Sequence, residues 1–227
     1  MAKAYDRLEW SYLHHMLVVM DFNTTWIFWV MNCARTSVTF AVNINGFPKG
    51  FIVPSRGLRQ GDPLSPFLFL ICAKGFIHMC NQALYNCTLP GVRIVRLSPT
   101  INHLLFADDS LFCCPASHLV VAQLLQIPQT YSNASSQMTN FNKSAVFFSK
   151  NTSSRTRTDL ANFLGISPIG AQDKYLGLPA VINRFKRQIL IDLKVRIIRK
   201  IAGWKEKLLS TAGKKILIKI VACAIPI

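Results

Sequence analysis

The segment that most constrains the fold of this chain is its most apolar one, residues 64–79 (LSPFLFLICAKGFIHM). It is shorter than the roughly 20 apolar residues that cross a bilayer, and Lys74 lies inside it. The segment therefore predicts a buried core helix, extending over about 66–85, and no membrane partner. Hydrophobic residues make up 51% of the 227 residues, which excludes a wholly disordered chain and fits one large or two small domains.

Positive charge dominates the chain, with 26 Lys and Arg against 10 Asp and Glu and a formal net charge of +16. This excess favours a polyanionic partner, either nucleic acid or an acidic membrane surface. Twelve of the basic residues fall within 184–219, where only Asp192 and Glu206 oppose them. Apolar residues recur there at helical spacing, which predicts two amphipathic helices with one basic face. Such a face either contacts a phosphate backbone or is simply solvated.

The seven cysteines are odd in number and contain no C-x-x-C pair. This pattern indicates neither a zinc knuckle nor a disulfide framework. We therefore expect reduced thiols, an intracellular protein and no disulfide-linked partner.

Hydrophobic periodicity and turn residues predict an alternation of helices and hairpins. The predicted helices cover 8–19, 26–33, 66–85, 118–135 and a short segment opening at 159–164. The predicted β-structure comprises a hairpin within 36–54 turning at Asn45-Gly46, a hairpin within 92–114 turning at Asp108-Asp109, a strand at 145–149 and a strand-turn at 174–179. Residues 150–158 are predicted to be a loop. The order is typical of an α+β fold, an antiparallel sheet with helices on one face.

Carboxylates are scarce, and among the ten only Asp108 and Asp109 are adjacent. Two neighbouring carboxylates repel each other, and a hard divalent cation relieves that repulsion. Magnesium, which binds one or two carboxylates together with substrate phosphates, suits a short pair of this kind. The alternative is that Asp-Asp forms an ordinary exposed turn.

A second polar element, RGLRQGDPLSP at residues 56–66, precedes the apolar helix. Its glycines allow close approach of the backbone to a ligand. Arg56, Arg59 and Gln60 could contact phosphates or sugar hydroxyls, and a helix N-terminus favours anions. The alternative is a plain strand-to-helix loop.

Five motifs in this order carry a family resemblance: KAYDRLEW (3–10), RGLRQGDPLSPFLF (56–69), FADD (106–109), NFNKS (140–144) and KYLGLP (174–179). Together they resemble reverse transcriptases, and more narrowly the polymerases of plant non-LTR (LINE-type) retrotransposons. Residues 203–226 resemble the segment that follows the polymerase in those elements. The resemblance runs from Lys3 to the last residue.

The resemblance implies a partial polymerase palm at 1–180 and an incomplete basic helical, thumb-like segment at 181–227. It implies an RNA-directed DNA polymerase that uses an RNA template, a DNA primer and deoxynucleoside triphosphates. The expected location is the nucleus, for target-primed integration, or a cytoplasmic ribonucleoprotein.

Individual roles follow from the same resemblance. Asp108 and Asp109 are expected to hold two magnesium (or manganese) ions that activate the primer 3′-hydroxyl and stabilise the pyrophosphate leaving group. Lys143 is expected to protonate the pyrophosphate. Gln60 and Gly61, like Arg56 in the same loop, are expected to contact the incoming nucleotide. The predicted steric gate beneath the deoxyribose is Tyr5.

Two further groups of residues are expected to contact nucleic acid. The turn Tyr175-Leu176-Gly177 matches the primer grip. The basic segment after it is expected to follow the template–primer backbone through Lys194, Arg196, Arg199, Lys200, Lys205 and Lys207.

The chain also departs from the family pattern. An aspartate that bridges both metals usually stands six positions before Asp6, and that count falls one residue before Met1. We therefore expect a chain that lacks this carboxylate and the fingers and is nearly inactive alone. The alternative is a non-catalytic basic nucleic-acid-binding fragment of a decayed element. Asp6 is not expected to replace the missing carboxylate. Ser136-Gln137 also stands where many relatives have glycine.

Overall fold

The computed structural model describes residues 3–36, 40–168, 174–175, 178–179, 191, 194–199 and 210–224. The chain forms two compact units. The first comprises residues 1–144 and 148–166, and the second comprises 145–147 and 167–227. The domain boundary predicted at 180 remains a prediction.

Helices dominate the first unit. They are α1 Ala4–Arg7, α2 Trp10–Val19, α3 Thr24–Thr36, α4 Ser65–Tyr85, α5 His118–Ser135 and α6 Ser154–Leu164. The predicted helices at 66–85 and 118–135 are confirmed almost residue for residue. The loop predicted at 150–158 is wrong beyond residue 153, because the Ser153 side chain caps α6 by accepting a hydrogen bond from the Thr156 amide at 3.1 Å.

Two antiparallel hairpins complete the first unit. Strand β1 (Phe40–Ile44) pairs with β2 (Phe47–Ile52), and the turn at Asn45-Gly46 is confirmed, with both residues at positive φ. Strand β3 (His103–Phe106) pairs with β4 (Asp109–Phe112).

The second hairpin turns one residue earlier than predicted. The two turn residues are Ala107 and Asp108, whereas Asp109 already belongs to β4 and pairs with Phe106. Ala107 takes the left-handed conformation at φ 48°, which is favoured by glycine and is not expected for alanine from the sequence. The turn predicted at Asp108-Asp109 is therefore shifted, and the two carboxylates occupy structurally different positions.

The described part of the second unit consists mainly of one small hairpin and helical segments. Strand β5 (Lys174–Tyr175) pairs antiparallel with β6 (Leu178–Pro179), which confirms the strand-turn. The strand predicted at 145–149 is wrong, since only a single bridge joins Val146 to Pro168. Residues 194–199 are helical, and a further helix covers Thr211–Ala224.

Mixed helices and small antiparallel sheets confirm the α+β class. The described strands form three separate two-stranded sheets rather than the single sheet expected from the sequence. Each hairpin pairs only with itself, so the larger antiparallel layer is absent from the described residues.

Helix α4 connects the two hydrophobic clusters of the first unit. Its first half, through Phe69 and Cys72, packs with residues of α2 and α3. Its second half, through Phe76 and Cys80, packs with α5 and the β3–β4 hairpin. By length and apolar composition alone α4 would also pass as a membrane span, but these contacts make it the core helix that the sequence predicts.

A buried asparagine fixes the base of the second hairpin. Asn102 is 2% exposed, and its side-chain amide donates to the Cys80 carbonyl at 2.8 Å and more weakly to the Leu89 carbonyl. Its backbone carbonyl accepts from the Cys113 amide at 2.9 Å. The side chain of Asn102 therefore joins the hairpin to α4 and the loop after it, and its backbone joins the two hairpin ends.

Candidate active site

The glycine-rich loop at 56–61 is docked by backbone hydrogen bonds onto the segment that contains α1. The Gly57 amide donates to the Leu8 carbonyl at 2.8 Å, and the Leu58 amide donates to the Tyr5 carbonyl at 2.7 Å. The Trp10 indole N–H donates to the Gly57 carbonyl at 2.7 Å. These bonds bring together two motifs that lie about fifty residues apart in the sequence.

Gly57 makes this docking possible. Its φ is +94°, and a Cβ built there would lie 2.8 Å from the Asp6 carbonyl oxygen. A side chain would therefore force the loop away from α1.

A cleft of about 570 Å³ opens where the loop, the start of α4 and the tip of the second hairpin meet. Its lining residues are Lys3, Ala4, Tyr5, Gln60, Gly61, Asp62, Pro63, Ser65, Pro66 and Asp108. Four of the residues selected from the sequence, Tyr5, Gln60, Gly61 and Asp108, thus share one cavity. The cavity lies entirely within the first unit.

Tyr5 is held on several sides. Its half-buried ring stacks on Phe69 of α4, with 5.1 Å between ring centroids and 19° between planes. Next to it, the Ala4 carbonyl accepts a 2.6 Å hydrogen bond from the buried Gln137 side chain. The ring at the cleft wall is therefore fixed by the core beneath it.

The polar side chains of the loop have defined partners. The Gln60 amide nitrogen donates to the Asp6 carboxylate at 3.3 Å. One carboxylate oxygen of Asp62 accepts from the Leu64 amide at 2.8 Å, which fixes Asp62 at the entrance to α4.

Sequence reasoning missed two charged residues of the cleft, Lys3 and Asp62. Both belong to motifs that we singled out, KAYD and RGLRQGDPLSP, but neither had been given a role. Their positions in the sequence could have identified them, because Lys3 stands two residues before Tyr5 and Asp62 directly follows Gly61.

The two adjacent carboxylates diverge. Asp108, at the second turn position, lines the cleft. Asp109 shares the outer face of the hairpin with its partner Phe106 and with Leu104 and Leu111, all of them exposed. Asp109 is not a lining residue, so its predicted metal role stays a prediction.

Two carboxylate residues, Asp62 and Asp108, line the cleft. Magnesium is commonly held by one or two carboxylates together with substrate phosphates and water. The described residues contain no group of three His, Cys, Asp or Glu side chains that could hold a metal. The expected binding of two ions therefore stays a prediction.

Lys143 and Arg56 lie outside the cleft lining. Lys143 is exposed at the end of a 3₁₀ turn, Phe141–Lys143, whose preceding Asn140 side chain accepts from the Lys143 amide. The Arg56 guanidinium forms an exposed ion pair with Glu9, with 3.5 Å between nitrogen and oxygen. Their predicted contacts with the nucleotide remain predictions.

The residues expected to contact nucleic acid lie in the second unit. Tyr175 belongs to β5, whereas Leu176 and Gly177 fall outside the described residues. Three basic residues are exposed on helical residues 194–199, namely Lys194, Arg196 and Arg199. The other three, Lys200, Lys205 and Lys207, fall outside the described residues.

Three buried or half-buried groups of the first unit, Tyr12, Tyr131 and Cys72, are joined by hydrogen bonds to one carbonyl. The Tyr12 and Tyr131 hydroxyls both donate to the Cys72 carbonyl, at 3.3 and 3.4 Å. Burial, with a smaller effect of Cys72, raises the pKa of Tyr12 to about 12, and burial raises the pKa of the Cys72 thiol to about 12. These groups therefore support the core and stay protonated at alkaline pH values at which exposed tyrosines and thiols ionise.

The sequence of the chain is similar to those of known proteins. An uncharacterized mitochondrial protein of Arabidopsis thaliana is 57% identical over 67 residues, 30% of this chain and 55% of that protein. The uncharacterized 149 kDa protein of transposon TX1 of Xenopus laevis is 27% identical over 224 residues, 95% of this chain. The chain spans 55% and 16% of the lengths of these two relatives. Residues 1–177 match the model of the family described as reverse transcriptase (RNA-dependent DNA polymerase), and the chain therefore belongs to that family.

Proposed function

We propose that this chain is the RNA-directed DNA polymerase domain of a plant-type, non-LTR (LINE-type) retrotransposon. The observation that supports this most strongly is the cleft in which Tyr5, Gln60, Gly61 and Asp108 meet. These residues come from three separate sequence motifs. A shared cavity is what binding of one nucleoside triphosphate requires.

The walls of the cleft suit a nucleotide. The Tyr5 ring offers an apolar, rigidly supported surface against the sugar, where a 2′-hydroxyl would clash. Gly61 has no side chain, so its backbone can lie close to the nucleotide. Gln60, held by Asp6 through its amide nitrogen, keeps its carbonyl oxygen available for a hydrogen bond.

Charge in the cleft suits the triphosphate. Lys3 supplies a cation at the wall, where it would attract the phosphates. Asp108 and Asp62 would hold one magnesium ion, which when bound neutralises phosphate charge and polarises the phosphorus–oxygen bonds. The second ion of a two-metal mechanism would need Asp109, which lies outside the lining of the cleft.

The RNA template and DNA primer would lie along the basic surface of the second unit. Exposed Lys194 and Arg199 offer cations to a phosphate backbone. Such contacts are independent of sequence and weaken as salt rises. The expected location is the nucleus or a cytoplasmic ribonucleoprotein.

Primer extension on an RNA template with Mg²⁺ tests this function, at protein concentrations high enough to resolve the low rate expected of this chain alone. Replacement of Asp108 by Asn should lower the rate by about 10²–10³-fold, because an electrostatic group at the reacting phosphate is lost. The matched control is Asp159→Asn, since Asp159 is an exposed carboxylate on α6 that pairs only weakly with Arg155. Equal rates for the three proteins would contradict the proposal.

A second candidate function is a nucleic-acid-binding module without chemistry. It is favoured by the net charge of +16 and by the exposed cations of the second unit. Titration of a template–primer duplex against salt should give a steep fall in affinity for either function. Binding of the duplex together with no extension by the unaltered chain would select this second function.

A further inference from the structure

The turn that follows α5 contacts the segment bearing Tyr5. Gln137 in this turn is 1% exposed, and its amide nitrogen donates to the Ala4 carbonyl at 2.6 Å. The Ser135 carbonyl accepts from the Glu9 amide at 3.3 Å. The turn therefore holds the chain on both sides of α1.

Helix α1 needs such external support. It contains four residues, too few for a helix that is stable by itself. The preceding Lys3 takes the left-handed conformation and provides no side-chain cap. The direction of the Tyr5 side chain is consequently set by what packs against α1.

Separate contacts fix the backbone carbonyls of Ala4 and Tyr5 and the Tyr5 ring. The glycine-rich loop binds the Tyr5 carbonyl through the Leu58 amide at 2.7 Å. Gln137 binds the Ala4 carbonyl, one peptide earlier. Phe69 supports the ring. Of these three contacts, the bond from Gln137 is the one made by a polar side chain.

The chemistry of Gln137 favours a positioning role over simple packing. Its Oε1 is buried without a hydrogen-bond partner among the described residues, which is unfavourable for a core position. An apolar side chain of similar length would avoid that cost. What glutamine adds is the donor that binds the Ala4 carbonyl.

We propose that Gln137 is a positioning residue that sets the selectivity of the cleft for deoxyribose over ribose, acting through the Ala4–Tyr5 peptide. This inference rests on the proposed polymerase function. If Tyr5 excludes a 2′-hydroxyl, a small rotation of its peptide opens space at the sugar. Misplacement of a positioning group by about 1 Å can change reaction rates about 10²-fold.

The test variant is Gln137→Met, which keeps side-chain length and apolar contacts but removes the donor. The matched control is Asn102→Leu, because Asn102 is equally buried and also donates to backbone carbonyls, but at the base of the second hairpin. The unaltered chain and Tyr5→Ala provide the two reference values. Single-nucleotide incorporation gives kcat/KM for a deoxynucleotide and for the matching ribonucleotide.

Gln137→Met should lower the deoxy-to-ribo ratio of kcat/KM about tenfold, toward the value of Tyr5→Ala. Asn102→Leu should lower Tm but leave the ratio unchanged. An unchanged ratio in Gln137→Met overturns the inference while the polymerase function stands. No incorporation by the unaltered chain overturns the proposed function and this selectivity role together.

Amide hydrogen exchange supplies a readout that needs no activity. Gln137→Met should increase exchange in residues 4–9 selectively, whereas Asn102→Leu should increase it around the second hairpin. Identical exchange in residues 4–9 for the unaltered chain and Gln137→Met would overturn the positioning role, whatever the activity.

Discussion

The ring of Tyr5 stacks on the ring of Phe69, with 5.1 Å between centroids and an angle of 19° between planes. Phe69 lies in α4 and is 3% exposed, within the cluster that joins α4 to α2 and α3. The residue at the cleft wall is therefore attached to the core helix of the unit. Stability of the core and geometry of the cleft are coupled at this pair.

Phe69→Leu should destabilise the first unit by about 1–2 kcal/mol, since the ring stack and part of the buried volume are lost. The free energy of unfolding from urea titration measures this effect. The matched control is Phe67→Leu on the same helix, where the side chain is 65% exposed. Its effect should stay within about 0.5 kcal/mol. Similar losses for both variants would contradict the assigned packing.

Gly57→Ala should destabilise the chain by about 2–3 kcal/mol and detach the glycine-rich loop from α1. The new Cβ would lie 2.8 Å from the Asp6 carbonyl oxygen, and φ is already +94°. Gly50→Ala is the control, because Gly50 has φ +71° but open space around a Cβ, so it carries the backbone strain alone. Thermal unfolding compares the two. If Gly50→Ala costs as much, the clash contributes nothing.

Ser136→Gly should stabilise the chain by about 0.5–1 kcal/mol. Ser136 ends α5 in the left-handed conformation at φ 60°, a position that glycine occupies without steric cost. The gain is limited because glycine has more conformational freedom in the unfolded chain. A raised Tm checks the prediction, and an equal or lower Tm would show that Ser136 is not strained.

The extent to which the sequence predicts this structure depends on how local each determinant is. The turn at Asn45-Gly46 is predictable because both residues tolerate positive φ, and α4 is predictable from its apolar length. The prediction placed the start of α6 too late, since this start depends on one capping hydrogen bond that the Ser153 side chain accepts from the Thr156 amide. The prediction of a strand at 145–149 was wrong, because Val146 forms a single bridge, to Pro168, which lies far from it in the sequence.

For the candidate site too, the sequence predicts what local motifs determine and misses what the tertiary fold determines. Tyr5, Gln60, Gly61 and Asp108 lie in motifs that can be read one by one. The hydrogen bond from Gln137 to Ala4 joins residues 133 positions apart, and no local pattern announces it. Asp109 does not line the cleft because the hairpin turns one residue earlier than predicted. The position of this turn depends on how β3 pairs with β4.

Stability should fall steeply above pH 9 because of buried thiols in α4. Burial raises the pKa values of Cys72 and Cys80 from 9.0 to about 12. Below pH 9 both thiols are protonated in the folded and unfolded states, and their burial is fully favourable. Between pH 9 and 12 the unfolded chain loses these protons while the folded chain keeps them. Each thiol then lowers the free energy of unfolding by up to about 1.4 kcal/mol per pH unit.

Urea titrations at pH 8, 9, 10 and 11 measure this dependence. Cys80→Ala should be less stable at pH 8, because a buried group is lost, but should show a shallower decline above pH 9. The control Cys33→Ala removes an exposed thiol and should leave the decline unchanged. Parallel curves for Cys80→Ala and the unaltered chain would show that the Cys80 thiol does not govern the alkaline transition. Since a protonated thiol is a poor nucleophile, Cys72 and Cys80 should also resist alkylation in the folded protein at pH 8.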